Sequence, residues 1–521
     1  MLLPATGFVL AASLILGGGT RSGFLGDAVL QILSVAALLV VLNRMFSPEL
    51  APDGMRWHTN ARWAFAVCAV VWSGPILQLI PLPPGVWTRL PDRALISRSY
   101  ELLSQPLPWF PISMVPSLTW TAWLSLLPPT AIFLGTALIG YRQRRQLSLV
   151  LLSVGLASVL LGLLQIAQGP DSSLRFFDYT NSTDAVGFFA NRNHFAALLY
   201  CLTVFAAAWA IDTVIITKTA NRWFTSSMLI VIASFTMLVV LIGAQSMARS
   251  RAGIGLSLAA LASTFALAAF DRRTQSAKHA TRLLAGAVML ALLFTVQLAL
   301  FRILDRFDRD SLVEGRIAFT QRTYAIAQEH LLTGTGLGTF VAVFPLYERT
   351  EELLANTYVN HAHNDIAQLL MEAGAGGGVL MLGFGLWLAA RAFGVWWPAA
   401  SGPSDLDRAL ARSSVVVIAL LMLHSVVDYP LRTGAMLAVF AFAAGLLVPP
   451  PPQSGQAWPV SGPGASPPAS PAQRGQNAPP PNATAVTWPG AWQRPKDGGS
   501  SPPPVATSPR VGPTMPDDCK P

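Results

Sequence analysis

Long apolar stretches recur from the N-terminus to residue 449, separated by short polar loops. Each is close to the roughly twenty residues that a helix needs to cross about 30 Å of hydrocarbon. The chain is 52% hydrophobic and 12% charged, and a soluble domain cannot keep so much apolar surface from water. The sequence therefore predicts an all-α polytopic membrane protein with about twelve transmembrane helices. The predicted spans are 2–19, 26–46, 63–83, 118–140, 147–168, 186–210, 226–247, 253–270, 283–303, 374–394, 413–428 and 434–449.

Orientation follows from arginine and lysine, which accumulate in the short cytoplasmic loops of membrane proteins. Alternate loops of this chain are basic, among them those that carry Arg44, Arg142 and Arg272. The pattern predicts that both termini are cytoplasmic and that residues 304–373 form a large loop on the outer side. The net charge of +9 then reflects topology, and nucleic-acid binding is not needed to explain it.

The ends of the chain and its cysteines add little chemistry. A second apolar run follows the first without a small-residue cleavage site, which predicts an N-terminal membrane anchor. Residues 450–521 are rich in Pro, Gly, Ser and Ala. They are predicted to form a disordered cytoplasmic tail. A passive tail is the simpler interpretation, and recruitment of a partner through the Pro-rich runs is the alternative. Cys68, Cys201 and Cys519 are too scattered to indicate a disulfide framework or a zinc site.

Two outward segments are long enough to fold. Residues 84–117, rich in Pro and aromatic side chains, are predicted to be a surface loop at the membrane interface that shapes access. Residues 314–331 are predicted to be an amphipathic helix. Its face would comprise Ile317, Tyr324, Ala325, Gln328 and Leu331. The glycines of 334–338 end this helix, and they are not a dinucleotide fingerprint because no strand–helix unit surrounds them.

The densest polar cluster is His361-Ala362-His363-Asn364-Asp365. Asp365 and Gln368 have the spacing of a capping box, which predicts a helix from about Ile366 to just before Gly374. The two histidines then precede a helix N-terminus, where an imidazolium is disfavoured and a neutral histidine is a usable base. Each histidine alone is equally compatible with capping or packing. Metal binding by the His-x-His-x-Asp spacing is less favoured, because no further strong ligand set lies nearby.

Arginines supply the other part of the predicted site. Arg249 and Arg251 lie at an outward junction between spans, against the cytoplasmic bias of positive charge. Guanidinium groups bind phosphate oxygens bidentately and stay charged, which fits a diphosphate site. Snorkelling to lipid headgroups is the alternative. Arg316 and Arg322, on the predicted loop helix, are further candidates.

Polar residues also stand beside two apolar spans. Span six begins with Asn191-Arg192-Asn193-His194, which either lines a substrate cavity or snorkels at the interface. His424 and Asp428 are four residues apart on one helical face, and we expect a structural hydrogen bond between them.

Several of these motifs together resemble the bacterial O-antigen ligase and polymerase family. The outer-loop motifs are Arg316, then Gly334-x-Gly336-x-Gly338-x-Phe340, then His363-Asn364-Asp365-x-x-Gln368-Leu369-x-x-Glu372-x-Gly374-x-x-Gly377. The membrane motifs are Asn191-x-Asn193-His194-Phe195 and Ser250-Arg251-Ala252-Gly253. They fall within residues 190–377, and elsewhere the resemblance is one of hydropathy.

The resemblance implies a GT-C-like glycosyltransferase of the bacterial inner membrane. Residues 1–449 would form the transmembrane domain, and 304–373 its catalytic periplasmic loop. Such enzymes transfer a glycan from undecaprenyl diphosphate to an acceptor hydroxyl, on lipid A-core or a growing polysaccharide, in lipopolysaccharide or surface polysaccharide assembly. The resemblance implies no cofactor and no metal.

Residue roles carry over by position. His363 matches the family's catalytic histidine, and Arg251 and Arg316 match arginines proposed to bind the diphosphate. His363 would deprotonate the acceptor hydroxyl, and the arginines would stabilise the departing diphosphate. Residues expected to bind substrate or support the site are Arg249, Arg322, Asn193, His361, Asn364 and Asp365. Of these, His361 or Asp365 would orient His363, although capping is the more economical role for Asp365.

The chain departs from the family at two positions. Thr320 stands where an aromatic residue is frequent, and Leu331 replaces a frequent proline. These departures affect the assignment of the acceptor more than that of the donor, because the matched residues are those that handle the diphosphate and the proton. A ligase, a polysaccharide polymerase and a protein O-glycosyltransferase would share the same histidine and arginines. A lipid-linked-glycan transporter or flippase is the alternative class, but it would concentrate polar residues within the spans. A non-catalytic scaffold would leave the outward loop unexplained.

Overall fold

The apolar stretches of the sequence form helices throughout the part of the chain that the computed structural model describes. The described residues are 1–21, 23–46, 59–178, 180–219, 225–270, 311–349, 358–397 and 405–451. They belong to one unit, Met1–Ser454. The predicted span 283–303 and the tail beyond residue 451 lie outside the described residues. Every other predicted span coincides with a helix or, at 118–140, with a pair of helices.

The helices and strands are as follows in chain order. They are α1 (Leu2–Leu16), α2 (Leu25–Phe46), α3 (Thr59–Leu79), β1 (Pro81–Leu82), α4 (Pro84–Trp87), α5 (Ala94–Leu102), β2 (Phe110–Pro111), α6 (Pro116–Leu124), α7 (Leu127–Leu138), α8 (Tyr141–Gln168), α9 (Arg192–Thr219), α10 (Thr225–Ala248), α11 (Arg251–Ala269), α12 (Ser311–Glu329), α13 (Phe340–Val343), α14 (Asp365–Trp396), α15 (Asp405–His424) and α16 (Gly434–Leu447). Two 3-10 turns, Phe344–Tyr347 and Pro430–Arg432, complete the set.

The helices have the lengths and composition of membrane spans. Among the described residues, seven helical segments are long and apolar enough to cross a membrane, and three shorter helices are also apolar. The predicted class, an all-α polytopic membrane protein, is therefore confirmed. The count of twelve spans and the GT-C-like arrangement stay predictions.

Helix α9 is the most enclosed helix of the bundle. The most apolar stretch of α9 is 94% buried, because α8, α10, α11 and α15 pack around it. Phe195, Tyr200 and Phe205 lie in the main hydrophobic core. Polar side chains at the start of α9 are therefore held by the best-packed helix of the structure, which limits their movement.

The outward loop has a hydrophobic core of its own. This core joins α12 to the first half of α14 through Met114, Ile326, Ala327, Phe340, Val343, Phe344, Ala362 and Met371. The helix predicted over 314–331 is confirmed as α12, but its predicted buried face is wrong. Ile317 and Leu331 are more than half exposed, whereas Thr323, Ile326 and His330 are buried. Apolar spacing misled because the true face mixes polar and apolar residues.

The glycine run is a packing device. Gly334, Gly336 and Gly338 have φ of +70°, +111° and +81°, a region that glycine tolerates best. The run lies against the chain near Gly374, and the Gly336 N–H donates to the Glu372 carbonyl at 3.0 Å. A Cβ on Gly334 would lie 2.2 Å from that same oxygen. Gly374, at φ +59°, breaks α14 at this contact, so the predicted end of the first helix before Gly374 is confirmed.

Residues 84–117 are folded against the outward loop. Strands β1 and β2 pair antiparallel, with Pro81 opposite Pro111. Trp87 is fully buried and donates its indole N–H to the Pro108 carbonyl at 2.8 Å. Nε2 of His330, the residue directly after α12, lies 2.9 Å from Asp92 Oδ2. The segment is thus more ordered than the surface loop predicted, and its position at a membrane interface stays a prediction.

Substituting Gly374 with alanine is expected to destabilise the protein by about 2–4 kcal/mol. A Cβ there would lie 2.6 Å from the Leu331 carbonyl oxygen, at a φ that strains L-residues. Gly376 is the matched control, because its Cβ position is open and alanine favours a helix by about 0.5–1 kcal/mol. Thermal unfolding of the purified protein in detergent measures both variants, and equal unfolding temperatures would contradict this account.

Candidate active site

The histidine segment is fixed on several sides by the outward loop and the bundle. The buried Ala362 carbonyl accepts a hydrogen bond from Thr320 Oγ1 of α12 at 3.1 Å. His361 Nε2 lies 3.0 Å from the Thr20 carbonyl oxygen after α1, and Nδ1 contacts the Gln368 amide. Thr320, where the family often has an aromatic residue, therefore ties the loop helix to the histidines.

Asn364 caps α14, which corrects the predicted role of Asp365. The Asn364 Oδ1 accepts from the Ala367 N–H at 2.9 Å, and its Nδ2 donates to the Val426 carbonyl. The helix starts at Asp365, one residue earlier than predicted. The capping-box spacing misled because asparagine, an equally good N-cap, stands directly before the aspartate.

His363 is held by a buried carboxylate. Its Nδ1 lies 3.1 Å from Asp428 Oδ1, and the other carboxylate oxygen accepts from Asn193 Nδ2 at 2.5 Å. Burial raises the pKa of Asp428, but the hydrogen bond with His363 and the neighbouring imidazoles of His194 and His424 lower the pKa overall. An ionised carboxylate fixes the proton of His363 on Nδ1, which leaves Nε2 as the basic nitrogen.

The backbone of His363 is also unusual. Its φ is +52°, a left-handed conformation that non-glycine residues rarely adopt. Such strain persists only where the surrounding structure holds it, and it is concentrated at functional sites. The loop therefore presents the imidazole in one direction, on the residue before the Asn364 cap.

Tyr429 brings the histidines together. Its ring lies 4.3 Å from the His361 ring and 4.9 Å from those of His194 and His363, measured between centroids. Burial raises the pKa of Tyr429, and the charge of Arg316 acts in the opposite direction. Arg316 stands on α12 about one turn before Thr320, whose hydroxyl bonds the Ala362 carbonyl, so α12 is in direct contact with the histidine segment.

His361 is unsuited to be the base. Burial lowers its pKa to about 4, and the charge of Arg432 acts in the same direction. It is therefore neutral at ordinary pH. The expectation that it orients His363 is wrong, because Asp428 takes that position.

Arg432 balances two buried carboxylates. Its guanidinium lies 2.6 Å from Glu372 Oε2 and 3.3 Å from Asp365 Oδ1. Asp365 also accepts from Ser425 Oγ at 2.8 Å, so the alternative in which Asp365 orients His363 is wrong as well. This network fixes the first half of α14 to the turn that carries Asp428.

Two of the arginines that were predicted to face outward or to begin span six, Arg249 and Arg192, meet at Asp184. Arg192 and Arg249 contact its two carboxylate oxygens at 2.7 and 3.4 Å. Arg251 is the first residue of α11, and Ser250 caps that helix by accepting from the Gly253 N–H. The first turn of α9 joins this region to the histidines, since Arg192 binds Asp184 and the adjacent Asn193 binds Asp428. Arg322 lies about 240° around α12 from Arg316, on another face.

Asp428, Tyr429, Arg432 and Asp184 are the residues that sequence reasoning missed or misassigned. The expected hydrogen bond between His424 and Asp428 is made by the backbone, from the Asp428 N–H to the His424 carbonyl at 2.9 Å. Their side chains have other partners: the Asp428 carboxylate meets His363, and His424 Nδ1 lies 3.1 Å from Tyr200 Oη. The available signal was a carboxylate and an arginine flanking Tyr429-Pro430 between two apolar spans, a costly position for charge unless it has a partner.

The comparison with protein families bears on these same residues. Residues 232–382 match the family model described as O-antigen ligase. The chain carries an O-antigen ligase family domain. The matched region includes Arg251, Arg316 and His363, and the resemblance predicted from the sequence is confirmed. A search of curated proteins found no match.

The O-antigen ligase domain supports a ligase- or polymerase-like function in polysaccharide assembly. Members of this family are glycosyltransferase-type enzymes, ligases and polymerases of polysaccharide assembly. Asn193, Asp428 and Arg432 lie outside the matched residues, so the structure extends the candidate site beyond the family domain. No group of three or more His, Cys, Asp or Glu side chains arranged to hold a metal occurs in the described part of the chain.

Replacing Arg432 with methionine is expected to cost about 3–5 kcal/mol of stability, because it leaves the buried Asp365 and Glu372 without a counter-charge. The control is Arg408→Met, which breaks a more exposed pair with Asp405 and should cost at most about 1 kcal/mol. Thermal unfolding in detergent compares them. If Arg432→Met lowers the unfolding temperature no more than Arg408→Met does, the network does not stabilise α14.

Proposed function

We propose that the protein is an inner-membrane glycosyltransferase that moves a glycan from undecaprenyl diphosphate to an acceptor hydroxyl on the periplasmic side. The observation that carries this proposal is the contact between the buried Asp428 and His363, which lies within the residues that match the O-antigen ligase family model. We further propose an O-antigen ligase-like role in lipopolysaccharide or surface polysaccharide assembly.

His363 acts as the general base. With Nδ1–H donating to Asp428, Nε2 accepts the proton of the acceptor hydroxyl as that oxygen attacks the anomeric carbon. The C–O bond to the lipid diphosphate breaks in the same step, and the diphosphate leaves as an anion. Asp428 stays ionised and stabilises the imidazolium that forms, so it is a positioning residue.

Arg251 and Arg316 bind the leaving diphosphate. Negative charge grows on its oxygens as the glycosidic bond breaks, and guanidinium groups stabilise it through charge-assisted hydrogen bonds. Arg251 is at the N-terminus of α11, where the helix dipole also favours an anion. Both termini of the chain are placed in the cytoplasm in this proposal.

The acceptor decides between ligase and related activities. A polymerase would use a growing polysaccharide, and a protein O-glycosyltransferase a serine or threonine hydroxyl, with the same base and arginines. Thr320 tethers the histidine segment at a position that is often aromatic in the family, so we expect this chain's acceptor pocket to differ there.

Transfer by the purified protein, from a native undecaprenyl-diphosphate glycan in the presence of EDTA, tests the proposal. We expect His363→Gly to remove activity by about 10²–10⁴-fold; glycine suits φ +52°, but the variant leaves the buried Asp428 without its imidazole partner, so folding is checked by thermal unfolding. His363→Ala should also be inactive. Offering lipid A-core, polysaccharide and peptide acceptors separates the three activities. An active glycine variant, or no transfer to any acceptor from folded wild type, would refute the proposal.

Asp428→Asn tests the orienting carboxylate. The amide keeps the shape but not the charge, so we expect kcat to fall about 100-fold or more while KM for the donor changes little. Asp407→Asn is the control: Asp407 is also buried and pairs with Arg145 at 2.7 Å, but no described contact joins this pair to the histidines. A similar kcat loss in both variants would reduce Asp428 to a structural role.

A further inference from the structure

The arginines around Asp184 carry more positive charge than their single carboxylate neutralises. Arg192 and Arg249 contact the two oxygens of Asp184. Arg175 is the third arginine at this place. Its Nη1 donates to the main-chain carbonyl oxygens of Asp184 and Asn181 at 3.0 and 3.1 Å. We call these three arginines the Asp184 cluster. No second carboxylate pairs with them among the described residues.

The cluster is open to a ligand. Arg192 and Arg249 are 26% and 39% exposed, whereas Asp184 is 2% exposed beneath them. Arg175 Nε and Nη2 are buried and have no hydrogen-bond partner in the described part of the chain. Buried guanidinium donors without acceptors are costly, and an incoming anion would satisfy them.

The backbone conformation of Arg249 also indicates that its side chain has a function. Its φ is +49°, a conformation that a glycine would adopt without cost at the end of α10. Arginine is sterically strained in that conformation, because its Cβ approaches the following carbonyl. The chain keeps a guanidinium at a position whose geometry favours glycine, which indicates a use for its charge.

The surroundings favour an amphiphilic anion. Phe176 follows Arg175 directly, is 56% exposed and stacks on Phe188 at 5.9 Å. Exposed aromatic side chains beside arginines suit a headgroup with apolar material attached. Forked guanidinium groups bind phosphate oxygens bidentately.

We propose that the Asp184 cluster binds a lipid-borne phosphate, separate from the diphosphate assigned to Arg251 and Arg316. The phosphate belongs either to the acceptor glycolipid or to a bulk anionic phospholipid. Asp184 holds Arg192 and Arg249 apart and in place, so that their remaining N–H donors face the ligand. This assignment of part of the acceptor rests on the proposed function, but the binding itself does not require catalysis.

Native mass spectrometry of the full-length protein in detergent tests the site with defined probes. The probes are dioleoyl phosphatidic acid and monophosphoryl lipid A, each compared with a form lacking the phosphate. We expect the double variant Arg192→Gln with Arg249→Gly to bind both phosphorylated probes about tenfold more weakly. Arg98→Gln, an exposed arginine of α5, should bind like wild type. Arg192→Lys with Arg249→Lys should lose less, since it keeps the charge.

The outcomes separate the sources and the two proposals. Tighter binding of monophosphoryl lipid A than of phosphatidic acid assigns the phosphate to the glycolipid, and equal binding assigns it to bulk lipid. Unchanged binding by a folded Gln/Gly variant, or no preference for phosphorylated probes, overturns the proposal. His363→Gly should bind the phosphorylated probes as wild type does, because His363 is not part of the cluster. If wild type binds these probes but transfers no glycan, only the glycosyltransferase assignment is refuted.

Discussion

The buried carboxylate of Asp428 is the contact on which the rest of the site depends. A carboxylate taken out of water must have its lone pairs satisfied or it costs several kcal/mol. Here one oxygen meets His363 and the other meets Asn193. These partners come from the outward loop and from the first turn of α9. The need to satisfy one buried charge therefore fixes the loop against the bundle, and fixes the imidazole in one orientation.

The second buried network does the same for the helix that carries the histidine segment. Arg432 neutralises Asp365 and Glu372, which lie about two turns apart on α14. The turn between α15 and α16 thus supplies Asp428 to the histidine and Arg432 to the helix behind it. With both ends of one short turn engaged, α14 and His363 cannot shift independently, which is the rigidity that proton transfer at a fixed distance requires.

Sequence reasoning reached the helices and part of the site. Apolar length predicts spans well because the bilayer sets a fixed requirement, and the His363 segment stands out because polar residues there need a reason. The buried face of α12 was missed because Thr323 and His330 occupy it, and polar side chains carry no apolar signal. Asp428 was assigned a local partner because its actual partner is 65 residues away in sequence. Long-range pairs of this kind leave no periodic trace.

The same backbone arrangement, a left-handed residue directly before a helix N-cap, occurs at His363 and at Arg249. His363 and Arg249 both have left-handed backbones, at φ +52° and +49°, and each directly precedes an N-cap, Asn364 or Ser250. In both places the cap accepts from the N–H three residues later, so the helix start is fixed while the preceding side chain turns away from the helix axis. Glycine would adopt this conformation more cheaply. An imidazole at one helix start and a guanidinium at the other gain fixed directions from the same strain, which is a physical reason for non-glycine residues to occupy both positions.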